Sequence, residues 1–221
     1  MKTMALTAAM LLGFTGAVSA ASISVDDFST IQGPVTATGG ATETDTQIAP
    51  GGALGDRTIT VTNDAGSFGG TTGFITGPAI NLFGVSNDFQ TQGTVAVSYA
   101  LGGYDLSDSG SNDTLIIGVE SIDLAALFTI PIDGVSSSAG VSMLGTLNFS
   151  FADFVGVDFS DVSDLSFAVG SNGVNAVDSS FTFIGVDDLV PNVVAPIPLP
   201  AGGVLLLTGL LGLAYAKRRK A

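Results

Sequence analysis

The chain has 221 residues, enough for one ordinary domain, and it contains no Cys, His or Trp. All twenty acidic residues lie between Asp26 and Asp188, and Arg57 is the single basic residue of residues 21–200, which therefore have a formal charge of −19. These features exclude disulfide bonds, cysteine-ligated metals and Ser-His-Asp or Cys-His catalysis, and they provide no basic patch for nucleic acid.

The N-terminus has the parts of a secretory signal peptide. Lys2 supplies a positive charge, an apolar run covers residues 4–18, and a small-residue cleavage site follows. The apolar run is short for a membrane helix, which needs ~20 residues. We therefore expect residues 1–20 to be removed by cleavage after Ala20 or Ala21. A retained N-terminal anchor is the alternative.

Residues 21–190 are expected to form a β-rich domain. Short runs rich in Val, Ile, Thr and Phe lie between clusters of Gly, Asn, Asp and Ser, and no segment has a sustained helical period of apolar residues. This pattern predicts an antiparallel β-sandwich. A single helical turn at residues 123–128 is the alternative to a strand there. Examples of the predicted strands are residues 58–62, 94–99, 114–119, 126–130, 147–151, 165–169 and 180–184.

Alternation within the later strands predicts which side chains face the core. Side chains two residues apart lie on one face of a strand, and stacked sheets bury their apolar faces against each other. Thr182 is expected on an outward face. The predicted core residues are Leu147, Phe149, Phe151, Leu165, Phe167, Val169, Phe181 and Phe183.

Acidic residues near the two ends of this domain suggest a structural calcium site. If the first and last strands are neighbours, Asp26 and Asp27 approach Asp187 and Asp188, and such a cluster repels itself unless an ion or protons are present. Asp27 and Asp187 are the predicted ligands, and the acidic loop 105–113 is a second candidate. The alternative is that all these carboxylates are solvated and bind no ion.

Carboxylate pairs are the catalytic candidates that the composition leaves open, because a glycosidase needs only two carboxylates. No pair is distinguished by its sequence context. Outside the C-terminal tail, Tyr99 and Tyr104 are the only tyrosines, so they are the predicted aromatic contacts for a sugar. A polysaccharide hydrolase is therefore the least favoured function. The pairs are Asp26/Asp27, Asp105/Asp108, Asp158/Asp161 and Asp187/Asp188.

The C-terminus carries three features in a fixed order. Residues 191–200 form a linker that runs into a proline motif, and residues 201–221 combine an apolar segment with a basic tail. The apolar segment has the length of a membrane-spanning helix, and the basic tail is expected to stay in the cytoplasm, which places the β-rich domain outside. The motif is Ile197, Pro198, Leu199, Pro200 and Ala201, and the tail is Lys217, Arg218, Arg219 and Lys220.

This order of proline motif, apolar helix and basic cluster resembles the PEP-CTERM class of sorting signals, in its VPLPA form with Ile197 in place of Val. In that family an integral-membrane exosortase cleaves near the motif. The resemblance implies a Gram-negative-type bacterium that makes exopolysaccharide. It also implies an intermediate in the inner membrane and a final location at the cell surface or outside the cell. A plain C-terminal membrane anchor is the alternative.

Four loose motifs occur in order along residues 21–190. They are Asp26-Asp27-Phe28, Gly55-Asp56-Arg57-Thr58-Ile59-Thr60-Val61, Tyr104-Asp105-Leu106-Ser107 with Ser111-Asn112-Asp113, and Phe151-Ala152-Asp153-Phe154. Together they resemble a jelly-roll domain found on many PEP-CTERM proteins and akin to galactose-binding modules. The resemblance implies a jelly-roll form of the sandwich and no particular ligand.

These features predict a non-enzymatic, exported surface or biofilm-matrix protein that an exosortase-type enzyme processes at the inner membrane. A carbohydrate-binding jelly-roll module of the cell surface, with exopolysaccharide as its partner, is the alternative. No nucleic-acid partner is expected, because the acidic surface repels phosphates.

Overall fold

A computed structural model of the chain describes residues 22–141, 143–171, 173 and 176–187. The chain divides into two compact units, and all of the described residues belong to the one formed by residues 19–189. The predicted signal peptide with its cleavage site at Ala20, the linker, the sorting motif, the membrane helix and the basic tail lie outside the described residues.

Thirteen β-strands form within the described residues, and one 3-10 turn, Phe151–Asp153, follows the eleventh strand. In chain order the strands are β1 Ile23–Asp26, β2 Gln32–Thr38, β3 Thr42–Gln47, β4 Asp56–Asn63, β5 Gly70–Ile75, β6 Phe83–Asn87, β7 Gly93–Tyr104, β8 Thr114–Ile122, β9 Ala126–Ile132, β10 Val135–Val141, β11 Gly145–Ser150, β12 Val162–Gly170 and β13 Ser179–Asp187.

These strands form two antiparallel sheets that pack face to face. The first has the order β11-β8-β13-β6-β5-β2, with β1 also paired to β13, and the second has the order β10-β9-β12-β7-β4-β3. The prediction of an all-β antiparallel sandwich is confirmed. The helical turn considered for residues 123–128 does not form, because those residues lead into β9. Within the described residues, no helix is long and apolar enough to span a bilayer.

The first and last strands are neighbours. β1 pairs with β13, with Ile23 opposite Val186 and Asp26 opposite Ile184. β6 pairs with the start of the same strand, and β8 occupies its other side. The described chain therefore enters and leaves the sandwich at the same end.

The strand directions divide the connecting loops between two ends of the sandwich. Loops 39–41, 64–69 and 88–92 lie at one end, called the upper end below. Loops 76–82 and 105–113 lie at the other, called the lower end, together with the last residue of β13.

Four phenylalanines form the middle of the core. Phe128 and Phe167 come from the second sheet, Phe83 and Phe181 come from the first, and all four are fully buried. Neighbouring ring centroids lie 5.0 to 6.4 Å apart, in the range that favours aromatic pairs. Because the chain has no cysteine, burial of these rings and their aliphatic neighbours is what holds the two sheets together.

Most of the core residues predicted from alternation are buried. The side chains of Phe149, Leu165, Phe167, Val169 and Phe181 are all buried, as expected. Two other members of the predicted core lie at its border. Leu147 is half-buried, and Phe151 leaves the strand to stack on Phe159, with ring centroids 3.6 Å apart.

The prediction for Phe183 is wrong. The register of β13 against β8 shifts on both sides of Phe181, and such a bulge reverses the alternation that follows it. Thr182 and Phe183 are therefore both half-exposed, and Ile184 is buried. The Phe183 ring lies over Gly118 of β8, where an added Cβ would come within 2.6 Å of the ring.

Replacing a ring at the centre of the aromatic cluster is expected to destabilise the fold strongly. Phe167→Ala removes contacts to three other rings and should lower the free energy of unfolding by about 3–5 kcal/mol. Thr182→Ala, on the half-exposed face, should lower it by less than about 1 kcal/mol. Urea unfolding of both variants measures the difference, and equal losses would contradict the assignment of the two faces.

Candidate functional site

The first site residue predicted from sequence, Asp26, is fully buried and paired with Arg57, which is also fully buried. Arg57 Nη1 donates to Asp26 Oδ2 at 2.9 Å. Tyr99 Oη donates to the same oxygen at 2.9 Å, and the Phe28 amide donates to Oδ1 at 2.8 Å. The carboxylate of Asp26 is thus occupied by partners inside the sandwich.

The other donors of the Arg57 guanidinium are also used. Nε donates to Gln32 Oε1 at 2.7 Å, and Nη2 donates to Thr30 O at 2.7 Å and to Gln47 Oε1 at 3.0 Å. Gln32 Nε2 in turn donates to Asp45 O at 2.8 Å. A planar fork with several fixed acceptors is the arrangement in which arginine tolerates burial.

Burial raises the pKa of the Asp26 carboxyl above its usual value, and the hydrogen bond and positive charge of Arg57 act against that rise. The pKa of the Tyr99 hydroxyl is raised well above 10, first because the group is buried and then because the Asp26 charge is adjacent. Asp26, Arg57 and Tyr99 therefore form a closed structural network with no group exposed to a ligand.

This network corrects the prediction that Tyr99 offers a ring to a sugar. Tyr99 is 1% exposed, because it lies on the inward face of β7. Tyr104, the last residue of the same strand, is 38% exposed and is the only one of the two that a ligand could touch.

The acidic residues proposed for calcium are spread over the lower end. Asp26 is opposite Ile184, and Asp187 lies three residues further along β13, about 10 Å away at the spacing of a strand. Asp27 Oδ1 accepts a hydrogen bond from the Ser29 amide at 3.0 Å. Among the described residues, no three acidic side chains are placed to hold one metal ion. Asp188 lies outside them, so the calcium site stays a prediction.

In each of the two other pairs proposed for catalysis, one carboxylate forms hydrogen bonds within its own loop. Asp105 accepts hydrogen bonds from Ser107 and Ser109, and Asp158 accepts them from Ser160. These hydrogen bonds lower the pKa of both carboxyls. A glycosidase acid needs a raised pKa, so neither carboxyl is suited to that role.

A cleft opens at the upper end, between the loops that follow β4 and β6. It has a volume of about 350 Å³ and is called the Phe68 cleft below. The Phe68 ring is 87% exposed, and the ring of Phe89, in the neighbouring loop, is 80% exposed. Phe68 lines the cleft, whereas Phe89 lies outside its lining residues. The cleft is lined by Asp64, Ala65, Gly66, Ser67, Phe68, Gln90 and Gln92.

Hydrogen bonds join the two loops of the Phe68 cleft. The Asp64 amide donates to Gln92 O at 2.9 Å, and the Gln92 amide donates to Ser67 Oγ at 3.0 Å. The Gly69 amide donates to Thr91 Oγ1 at 3.0 Å, with Thr91 fully buried. The loops are thus held at a fixed spacing.

A buried polar network lies beneath these loops. Asn63 Nδ2 donates to Gly69 O at 3.1 Å and to Thr71 Oγ1 at 3.3 Å. Thr71 Oγ1 donates to Asn87 Oδ1 at 2.7 Å, and Asn87 Nδ2 donates to Val177 O at 3.0 Å. Buried polar networks with their groups satisfied make a structure rigid, so a ligand would find this cleft largely formed.

The tip of loop 88–92 is a turn in which a non-glycine residue has a positive φ. The Thr91 amide donates to Asp88 O at 3.0 Å, which closes a four-residue turn, and Gln90 at its third position has a φ of 59°. Glycine or asparagine usually takes this position, because other side chains are strained there. Backbone strain of this kind is typical of functional positions, and here it holds a long amide side chain at the cleft.

Sequence patterns did not identify the Phe68 cleft, although a signal for it exists. Phe68 follows Gly66 and Ser67 and precedes Gly69 and Gly70, so a single aromatic residue lies within a turn-forming cluster. A side chain in a surface turn cannot reach the core, so an aromatic ring there stays exposed. That context distinguishes Phe68 from the phenylalanines of the alternating strands.

No protein-family model and no curated protein matches the sequence. Among solved structures, a family 11 carbohydrate-binding module from Clostridium thermocellum, in complex with a β-1,3-1,4-mixed-linked tetrasaccharide, is 15% identical. It has a TM-score of 0.40 over 77% of this chain and 98% of that one. The family 11 module of a cellulosomal cellulase of the same organism is 13% identical, with a TM-score of 0.38 over 76% and 95%. At such TM-scores the likeness carries no argument about function.

Removing the buried arginine is expected to destabilise the protein more than removing the whole ion pair. Arg57→Met leaves the Asp26 carboxylate buried without its countercharge and should lower the free energy of unfolding by about 3–5 kcal/mol. Adding Asp26→Asn should restore part of that loss, because the unpaired charge is gone. Urea unfolding at neutral pH compares the variants, and a single variant as stable as the wild type would mean that the carboxylate is solvated.

Proposed function

We propose that this protein is an exported, non-catalytic surface or matrix protein whose jelly-roll-like sandwich binds polysaccharide in the Phe68 cleft. The observation that carries the proposal is the exposed Phe68 ring beside polar side chains on a rigid base. The site lies on loops at one end of the sandwich, which is a common place for binding residues on a rigid β scaffold.

The chemistry of the cleft suits a sugar. A pyranose ring has an apolar C–H face that packs on an aromatic ring, and its hydroxyl groups need hydrogen-bond partners of both kinds. Phe68 offers the aromatic surface, and the amide side chain of Gln90 and the carboxylate of Asp64 offer a donor and acceptors. A few fixed polar groups beside an apolar surface are the usual composition of a ligand site.

The charge of the domain narrows the class of polysaccharide. Residues 21–200 have a formal charge of −19, and Asp64 lies in the wall of the cleft. A chain of uronic acids would be repelled by this field, whereas a neutral glycan would not. The proposed ligand is therefore a neutral polysaccharide.

Binding to a panel of neutral oligosaccharides and soluble neutral glucans tests the site. Phe68→Ala is expected to weaken binding about tenfold or more, because a central aromatic contact contributes over 1 kcal/mol. Ile48→Ala is the control, since Ile48 is 82% exposed in the loop between β3 and β4 and does not line the cleft. Titration calorimetry with alginate should show no binding. Equal affinities of Phe68→Ala and wild type would refute the site.

The export part of the proposal is supported by the two chain ends. The signal-peptide pattern of residues 1–20 directs secretion, and the motif Ile197–Ala201 with the basic tail resembles a VPLPA-type sorting signal. The partner proposed there is an exosortase-type enzyme of the inner membrane, and the final location is the cell surface or the extracellular matrix.

Processing at both ends is expected to be visible in the mass of the native protein. The mature form should lack residues 1–20 and the stretch from about Pro200 onward. Intact-mass measurement of protein taken from the cell surface and from the medium checks both cuts. A surface form that still carries residues 204–216 would instead support a plain membrane anchor.

A further inference from the structure

The four outer edge strands of the sandwich differ in how well they are protected from pairing with a strand of another chain. β2 and β3 form one side, and β10 and β11 form the other. β2 carries Pro34 and a register shift, and β3 carries Glu43 and Asp45. Proline, bulges and charges on an edge all prevent another strand from adding to it, so this side is protected.

The opposite side has none of these devices among its described residues. Residues 134–152, which include β10 and β11, contain no charged residue and no proline. β10 pairs with β9 over seven consecutive residues, and β11 pairs with β8 over six, both without a register shift. A regular, uncharged edge of this length is a template for a further strand.

The hairpin between β9 and β10 shows which backbone groups face outward. Asp133 and Gly134 both have positive φ, and Val135 is opposite Ile132, as in a two-residue hairpin turn. Val135 and every second residue after it therefore bond to β9. The amide and carbonyl groups of Ser136, Ser138 and Gly140 point away from the sheet.

Apolar side chains adjoin this edge. Gly140 is opposite Leu127, which is 37% exposed because its neighbour has no side chain to cover it. Met143 and Leu144, between β10 and β11, are 74% and 65% exposed. An added strand would cover part of this surface and exclude water from the edge bonds.

The distribution of charge restricts where two copies of this chain can meet. A second copy of this chain carries the same surplus of acidic residues, so most approaches of two copies are repulsive. The uncharged β10 edges are where two copies meet with the least repulsion, and an antiparallel edge is complementary to itself. We infer that two copies of this protein pair through their β10 strands and join their second sheets into one continuous sheet. The contact is isologous, with Ser138 near its two-fold axis.

Analytical ultracentrifugation of the full chain from micromolar to millimolar concentration tests this contact. The wild type should show a reversible monomer–dimer equilibrium. Ser138→Glu places like charges opposite each other across the axis and should weaken dimerisation by roughly tenfold or more. Ser138→Pro removes an outward amide and leaves the backbone bonds to β9 in place, although it also removes the hydrogen bond between the Ser138 and Thr129 hydroxyls. It should also favour the monomer.

Thr44→Glu is the matched control, because it adds the same charge to an exposed position of the opposite edge strand, β3. It should leave the equilibrium unchanged, and circular dichroism should show all three variants folded. All variants keep the same chain ends, so association through those ends would survive Ser138→Glu. A monomeric wild type, a dimer insensitive to Ser138→Glu, or an equal effect of Thr44→Glu would each overturn the inference. If the Phe68→Ala variant loses glycan binding but still dimerises, the dimer contact and the glycan site are independent of each other.

Discussion

The buried pair of Arg57 and Asp26 is the constraint on which the rest of the sandwich depends. A guanidinium without water is tolerated only when its donors meet acceptors, and here those acceptors come from β1, the loop after it, β2 and β3. The first strand is thereby tied to the interior at the point where it also pairs with β13. Because Arg57 is the only basic residue of residues 21–200, no other ion pair could take over this task.

The core is polar at both ends and aromatic in the middle. The Arg57 network joins β1 to β4 and β7, and the network of Asn63, Thr71 and Asn87 supports the upper loops. Each network orders the loops next to it through hydrogen bonds to buried side chains. The chain has 30 glycines, and its glycine-rich upper loops have few side chains that could pack against each other. These loops keep their shape because their backbone groups form hydrogen bonds with buried residues.

Sequence alternation predicted the sandwich and several of the strands that carry its core, because burial on one face imposes a period of two on β12 and its neighbours. It did not single out β6, which supplies Phe83. It did not predict β3, whose residues are all polar, since an exposed edge strand needs no apolar face. It misplaced Phe183, because a bulge leaves no mark in composition. It assigned Tyr99 to the surface, because the partner that lets a hydroxyl be buried, Asp26, is 73 residues away in sequence. The Phe68 cleft was missed for the same reason, since it requires two loops to be adjacent.

The neighbouring positions of β1 and the end of β13 have a mechanical consequence. Asp187 leaves the sandwich at the lower end, and the loops around Phe68 lie at the upper end. If the chain is held beyond Asp187 while Phe68 grips a fixed polymer, tension runs along the strands and perpendicular to the bonds between them. Many interstrand hydrogen bonds then carry the force together in shear, and they do not break one after another from one end of a strand. The Phe68 loops and Asp187 lie at opposite ends of the sandwich, so a ligand bound at Phe68 would lie far from the point where the chain leaves it.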